Sequence, residues 1–143
     1  MNEVIMLSKN KYLMRITSLP LVGHIAFGVI DRGTNILQVR PTTLCPLNCI
    51  FCSVDAGPLS RHRQTEYVVD RKLLVRWVLN VAMFKGEVLE ALIDGVGDPL
   101  TYHEIPELVK DLKKFISRVA IETHGANLNK ETVSYTHLTL PTN

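Results

Sequence analysis

The chain has 143 residues, of which 46% are hydrophobic and 21% charged, which suits a globular domain with a core and excludes a disordered segment. Its formal net charge of +2 is too small to argue for nucleic acid or an anionic membrane surface. No apolar stretch is long enough to span a bilayer and residues 1–11 lack the apolar centre of a signal peptide, so a cytoplasmic location is the default expectation.

Residues 12–34 alternate loosely between apolar and polar. Ile25, Phe27 and Val29 hold a period of two, Asp31-Arg32-Gly33-Thr34-Asn35 is turn-like, and Ile36, Leu37 and Val39 resume an extended pattern. This predicts a hairpin whose second strand runs from about Asn35 into Pro41. A loop with all the cysteines follows, and residues 53–69 show no clear period. Asp70 is placed to cap a helix starting at Arg71, and Gly86 to end it. Within it Leu73, Leu74, Trp77, Val78, Val81 and Phe84 keep helical spacing. Val75, Leu79 and Met83 spread apolar character around the girth, which predicts a well-buried helix.

Residues 88–93 are apolar except for Glu90 and run into Asp94-Gly95-Val96-Gly97-Asp98-Pro99, a buried strand entering a glycine turn. Pro106 suits the first turn of a second helix striped by Ile105, Leu108, Val109, Leu112, Phe115 and Ile116. Residues 118–123 read as a third strand closed by His124-Gly125. The alternation of strand and helix predicts an α/β fold with a parallel sheet and right-handed crossovers. Sites in such sheets lie beyond the carboxyl ends of the strands. The cysteine loop, the 95–99 turn and Thr123-His124-Gly125 all belong to that edge.

Cys45, Cys49 and Cys52 are the chain's three cysteines, spaced C-x3-C-x2-C. An odd, clustered set is a poor disulfide framework, and in a reducing compartment it usually serves a metal or a redox reaction. Three thiolates from one loop suit three irons of a cubane cluster and leave the fourth open, as a catalytic site needs. Zinc on the same thiols with His62 or His124 is the main alternative, although structural zinc favours paired C-x2-C knuckles and one such pair exists here. Inert buried thiols are a third. A zinc-held module contacting RNA through Arg61, His62 and Arg63 is the corresponding binding-protein reading, though such basic runs are more often solvated faces.

The loop Cys45-Pro46-Leu47-Asn48-Cys49-Ile50-Phe51-Cys52 resembles the signature of radical S-adenosylmethionine (radical SAM) enzymes, C-x3-C-aromatic-C, with Phe51 at the aromatic position. The resemblance implies a 4Fe–4S cluster on Cys45, Cys49 and Cys52. It implies S-adenosyl-L-methionine on the open iron, cleaved reductively to a 5′-deoxyadenosyl radical that abstracts hydrogen from a substrate. The protein would position a cofactor that carries the hard chemistry. Gly95-Val96-Gly97-Asp98-Pro99 is similar to the family's glycine-rich segment, whose backbone meets the methionine amino group, with Asp98 where Glu is usual. Thr123-His124-Gly125 is similar to a Thr-Asn-Gly of the family, departing at His124. The cofactor-binding residues implied are Phe51, Gly95, Gly97, Asp98 and Thr123. A small electron donor such as a ferredoxin or flavodoxin is implied as partner; no substrate or catalytic residue is. The residues flanking the cysteines resemble an archaeal-type, uncharacterised branch.

The implied fold is the N-terminal portion of a partial (βα)6 barrel preceded by a β-hairpin. Residues 1–34 would form an N-terminal extension with the hairpin, 35–132 about the first half of the core, and 133–143 a tail. The chain offers about two and a half strand–helix units, and a closed eight-unit barrel takes roughly 250 residues. The tail has no charged residue and no period, and Ser134 to Leu138 resembles the translation of a sequencing adapter, TCT-TAT-ACA-CAT-CTG. The expectation is a natural sequence ending near Thr132, a third strand with an unpaired outer edge, and a fragment inactive alone.

Overall fold

The computed structural model describes residues 2–8, 10–125, 127–128 and 137–139. Strands β1 (Glu3–Ser8) and β2 (Lys11–Ile16) form an antiparallel hairpin, and β5 (Thr65–Val69) runs parallel along the other edge of β2. The second sheet contains β3 (Gly28–Asp31), β4 (Ile36–Arg40), β6 (Glu90–Ile93), β7 (Arg118–Glu122) and β8 (His137–Thr139), in the order β3-β4-β6-β7-β8. The β3–β4 pair is the antiparallel hairpin expected across residues 31–36; the β4–β6, β6–β7 and β7–β8 pairs are parallel. The mixed α/β class is therefore present, with β3 and β8 as the edges of an open sheet rather than a closed barrel among the described residues.

Helix α1 (Arg71–Lys85) begins where Asp70 accepts the Leu73 N–H at 3.1 Å, and ends at Gly86, whose φ of 84° an L side chain rarely adopts. Its burial differs from expectation. Leu73, Leu74 and Val78 are buried, whereas Met83 and Phe84 are 73% and 92% exposed. The helix lies on β3 and β4 with α2 beside it, and this one-sided packing reaches one face only. Helix α2 (Ile105–Lys113) carries Pro106 in its first turn and buries Ile105, Leu108, Val109 and Leu112 as its apolar stripe requires. Together with Leu37, Val39, Ile93 and Ile121 from the parallel strands they build the core, each fully buried side chain contributing about 1.5–3 kcal/mol.

Three strands depart from the sequence reading. Strand β1 lies in residues 1–11, for which no strand is expected, β2 lies at the start of the loosely alternating stretch, and β5 lies in the stretch without a period. In β5 the inward position nearest the cysteine loop is Glu66, 2% exposed, which breaks the apolar alternation that marks a strand. The outer edge of β7 is also not open: Ala120, Ile121 and Glu122 pair with His137, Leu138 and Thr139, which satisfies backbone groups a buried strand cannot leave to water. The other residues of the 133–143 segment lie outside the described residues. Among the described residues no helix is long and apolar enough to cross a membrane.

Candidate metal centre at the cysteine loop

The parallel strands β4, β6 and β7 deliver their C-terminal ends to one edge of the sheet, so residues 41–63, 94–98 and 123–125 meet there. The chain leaves β4 through buried Thr42 and Thr43, and the Thr43 N–H donates to the Tyr67 carbonyl of β5 at 3.0 Å. Beyond it the cysteine loop folds back on itself. Asn48 Oδ1 accepts the Leu59 N–H at 2.8 Å, and Asp55 Oδ2 accepts those of Arg61 and His62 at 2.9 and 2.8 Å. These two N–H groups, His62 first, hold the Asp55 carboxyl below the usual carboxylate range. Gly57, at φ 110°, is required, since a Cβ there would lie 2.0 Å from the Leu47 carbonyl oxygen.

Cys45, Cys49 and Cys52 are free thiols, each partly buried. They line one wall of a cavity of about 260 Å³; Gly95, Val96 and Gly97 line another, and His124 borders it. Phe51 stands at the rim, 83% exposed. The Ala56 N–H donates to Cys52 Sγ at 3.3 Å. Burial pushes the Cys45 thiol up, against an opposing Leu47 N–H, and the charge on Asp98 adds to the rise. A bound cation inverts that balance.

The glycine turn meets the cysteine loop through backbone rather than through the cavity alone. A Cβ on Gly97 would sit 2.3 Å from the carbonyl oxygens of both Thr43 and Leu44, and one on Gly95 would sit 3.1 Å from that of Thr42. The Asp98 N–H donates to the Leu44 carbonyl at 2.9 Å. Glycine at 97 is thus demanded by the entry to the cysteine loop itself, whatever the cavity holds. Asp98 is 0% exposed. Its Oδ1 accepts from Thr123 Oγ1 at 2.6 Å and from the Leu100 N–H at 3.1 Å, and its Oδ2 from the His124 N–H at 3.3 Å. Asp98 and Thr123 do not line the cavity. Their side chains bond each other behind its wall and tie the loop after β6 to the loop after β7.

Among the described residues no group of three His, Cys, Asp or Glu side chains converges to hold one metal ion. A zinc site needs its ligands at a single point; of the two histidines offered as a fourth ligand, His124 borders the cysteine cavity, whereas His62 lines a different depression of about 520 Å³. A cubane gives each thiolate its own iron, so it does not require three side chains to converge on one ion. Of the basic run, Arg61 and His62 are exposed, whereas the Arg63 side chain is 14% exposed and donates to backbone carbonyls. Sequence reasoning missed Arg63 and Glu66 as site-building residues, and missed Asn48 and Asp55 as turn formers; Asx residues beside the cysteines and Gly57 were the available signal.

A parallel α/β sheet that sets a three-cysteine loop against a glycine turn at its C-terminal edge is the frame of a cofactor-binding domain. The model of the Radical SAM superfamily matches residues 39–135, more than half of the chain, and the chain belongs to that superfamily. It is similar to Uncharacterized protein MJ0103 of Methanocaldococcus jannaschii, with 41% identity over 128 residues, which cover 86% of this chain and 30% of that protein. The chain thus spans less than a third of the length of that archaeal relative. No solved structure matches it.

Proposed function

We propose that Cys45, Cys49 and Cys52 hold a 4Fe–4S cluster whose open iron takes S-adenosylmethionine, within an enzyme that abstracts hydrogen from its substrate. The observation that carries this reading is one cavity lined by all three thiols and by both glycines of the 95–97 turn. When bound and reduced by a donor of the ferredoxin or flavodoxin class, the cluster and S-adenosylmethionine supply a 5′-deoxyadenosyl radical. The chain's own residues bind and orient. The three cysteines offer the sulfurs, the Ala56 N–H bonds Cys52 Sγ and so orients it, and Gly95 and Gly97 present backbone without side chains to the cavity. Phe51 offers an aromatic face at the rim. Asp98 and Thr123 hold the far wall in place rather than touching the cofactor. In this reading the five-stranded sheet is the N-terminal part of a partial (βα)6 barrel in a cytoplasmic enzyme.

The test is anaerobic reconstitution of the full chain with iron and sulfide. About four irons per chain are expected, with a brown colour and a paramagnetic signal on reduction that changes when S-adenosylmethionine is added. Replacing Cys45, Cys49 or Cys52 by Ala should lower the iron content in each case. Stoichiometric zinc in a colourless protein, or unchanged iron in a cysteine variant, overturns the assignment.

A further inference from the structure

Arg63 takes no part in holding the cluster or its ligand, yet its side chain joins the segments that frame the cavity. Nε donates to the Val54 carbonyl at 3.0 Å, Nη1 to the Thr43 carbonyl at 2.9 Å and Nη2 to the Val96 carbonyl at 2.5 Å. Thr43 lies just before Cys45, Val54 just after Cys52, and Val96 between Gly95 and Gly97. One guanidinium therefore ties the entry of the cysteine loop, its exit and the glycine turn. Its charge faces Glu66 Oε2 at 3.6 Å. Glu66 is 2% exposed and also accepts from Thr43 Oγ1 at 2.6 Å, so the counter-ion is fixed to the same entry segment. Thr43 Oγ1 in turn accepts the Tyr67 N–H at 2.8 Å, which anchors the assembly on β5.

Three carbonyls facing one point from three segments need several donors in a planar fork, which arginine has and lysine lacks. The sheet ladders and the core do not need these bonds, because none of the three carbonyls belongs to a strand. We propose that Arg63 is a positioning residue that sets the spacing between the cluster-bearing loop and the glycine turn, so that S-adenosylmethionine is gripped from both walls; the identity of that molecule rests on the function proposed above. The cluster's own ligands lie on one loop, so cluster loading should depend on Arg63 less than S-adenosylmethionine binding does.

Removing Arg63 alone would strand the buried Glu66 charge, so the informative variants are R63Q/E66Q, which removes both charges with the clasp, and R63K, which keeps the charge without the planar fork. Two quantities are read on the full chain. The first is the rate at which iodoacetamide alkylates the thiols of the cluster-free chain, with circular dichroism recorded alongside. R63Q/E66Q should react about fivefold faster than the parent, because the loop opens more often. The second is the S-adenosylmethionine concentration that half-converts the paramagnetic signal of the reduced, reconstituted chain. It should rise about tenfold in R63Q/E66Q with iron content retained, and R63K should fall between that variant and the parent. Parent-like values of either quantity in R63Q/E66Q overturn the clasp. Should circular dichroism show that the double variant does not fold, R63K decides, and parent-like values there overturn it. A parent chain that loads no cluster refutes the proposed function, while the alkylation rates still decide the role of Arg63.

Discussion

The cysteine loop and the glycine turn are facing walls of one cavity, and they are built in opposite ways. The first bears the reactive atoms and is open: Ile50 is 102% and Phe51 83% exposed, and it is shaped by local bonds from Asn48 and Asp55 and pinned by Lys11, whose Nζ donates to the Gly57 carbonyl at 2.8 Å, and by Arg63. The second bears no nucleophile and is closed: Asp98 is 0% exposed, and Gly97 is pressed against two carbonyl oxygens of a distant segment. The thiols thus stand on the more exposed wall, and the buried wall carries the closer packing. Under the function proposed above this division suits a cluster loop, because a bound metal would re-tie its own ligands.

The hardest break in this contrast is Gly97→Val. Its Cβ would fall 2.3 Å from the Thr43 and Leu44 oxygens, on backbone that leads directly into Cys45. Overpacking of this kind costs about 3 kcal/mol, so the urea midpoint should fall and iron loading should fall with it. Retained iron and an unchanged midpoint, with only S-adenosylmethionine binding lost, would make the turn a cofactor contact and not a packing one. Next in size is Asp98→Ala. It leaves the Thr123 hydroxyl and the Leu100 and His124 N–H groups without their acceptor in a dry place, at a cost of about 2–3 kcal/mol. Equilibrium unfolding measures it, and a change below about 0.5 kcal/mol would mean that the latch between the two loops is idle.

The smallest effect is expected away from both walls. Asp31, the last residue of β3, accepts from Lys85 Nζ at 2.8 Å at the end of α1, and this bond, followed by the Gly33 N–H, holds its carboxyl below its ordinary value of 3.8. A folded-state value below the unfolded one adds stability that is fully present above pH 3.8 and is lost as the pH falls through the lowered value. Urea midpoints of D31N and the parent should therefore differ slightly at neutral pH and converge in acid, with iron loading the same in both. A gap that persists in acid would show that the carboxylate charge contributes nothing.

Much of the frame was legible because it is local. Asp70 and Gly86 bound α1 where capping chemistry puts them, Pro106 opens α2, and the run into Gly95 is β6. The depth of α1 was not legible: an apolar residue such as Phe84 reads the same on an exposed face as on a buried one until a neighbour is present. Strand β5 was hidden because one of its two buried positions, Glu66, holds a carboxylate, which makes sense only once Thr43 and Arg63 are beside it.

By itself the sequence determined the thiol spacing, the turn residues around it and the order of strand and helix, since each depends on neighbours within a few residues. Only the tertiary structure decided what those residues do. Arg63 reaches carbonyls 9, 20 and 33 positions away, and Asp98 meets Thr123 across 25. Gly97 reads as a cofactor cradle from its motif and becomes a packing requirement once Thr43 and Leu44 lie against it. Periodicity and spacing report on one segment at a time, whereas a hydrogen-bond partner or a steric limit from a remote segment exists only after the chain has brought the two together.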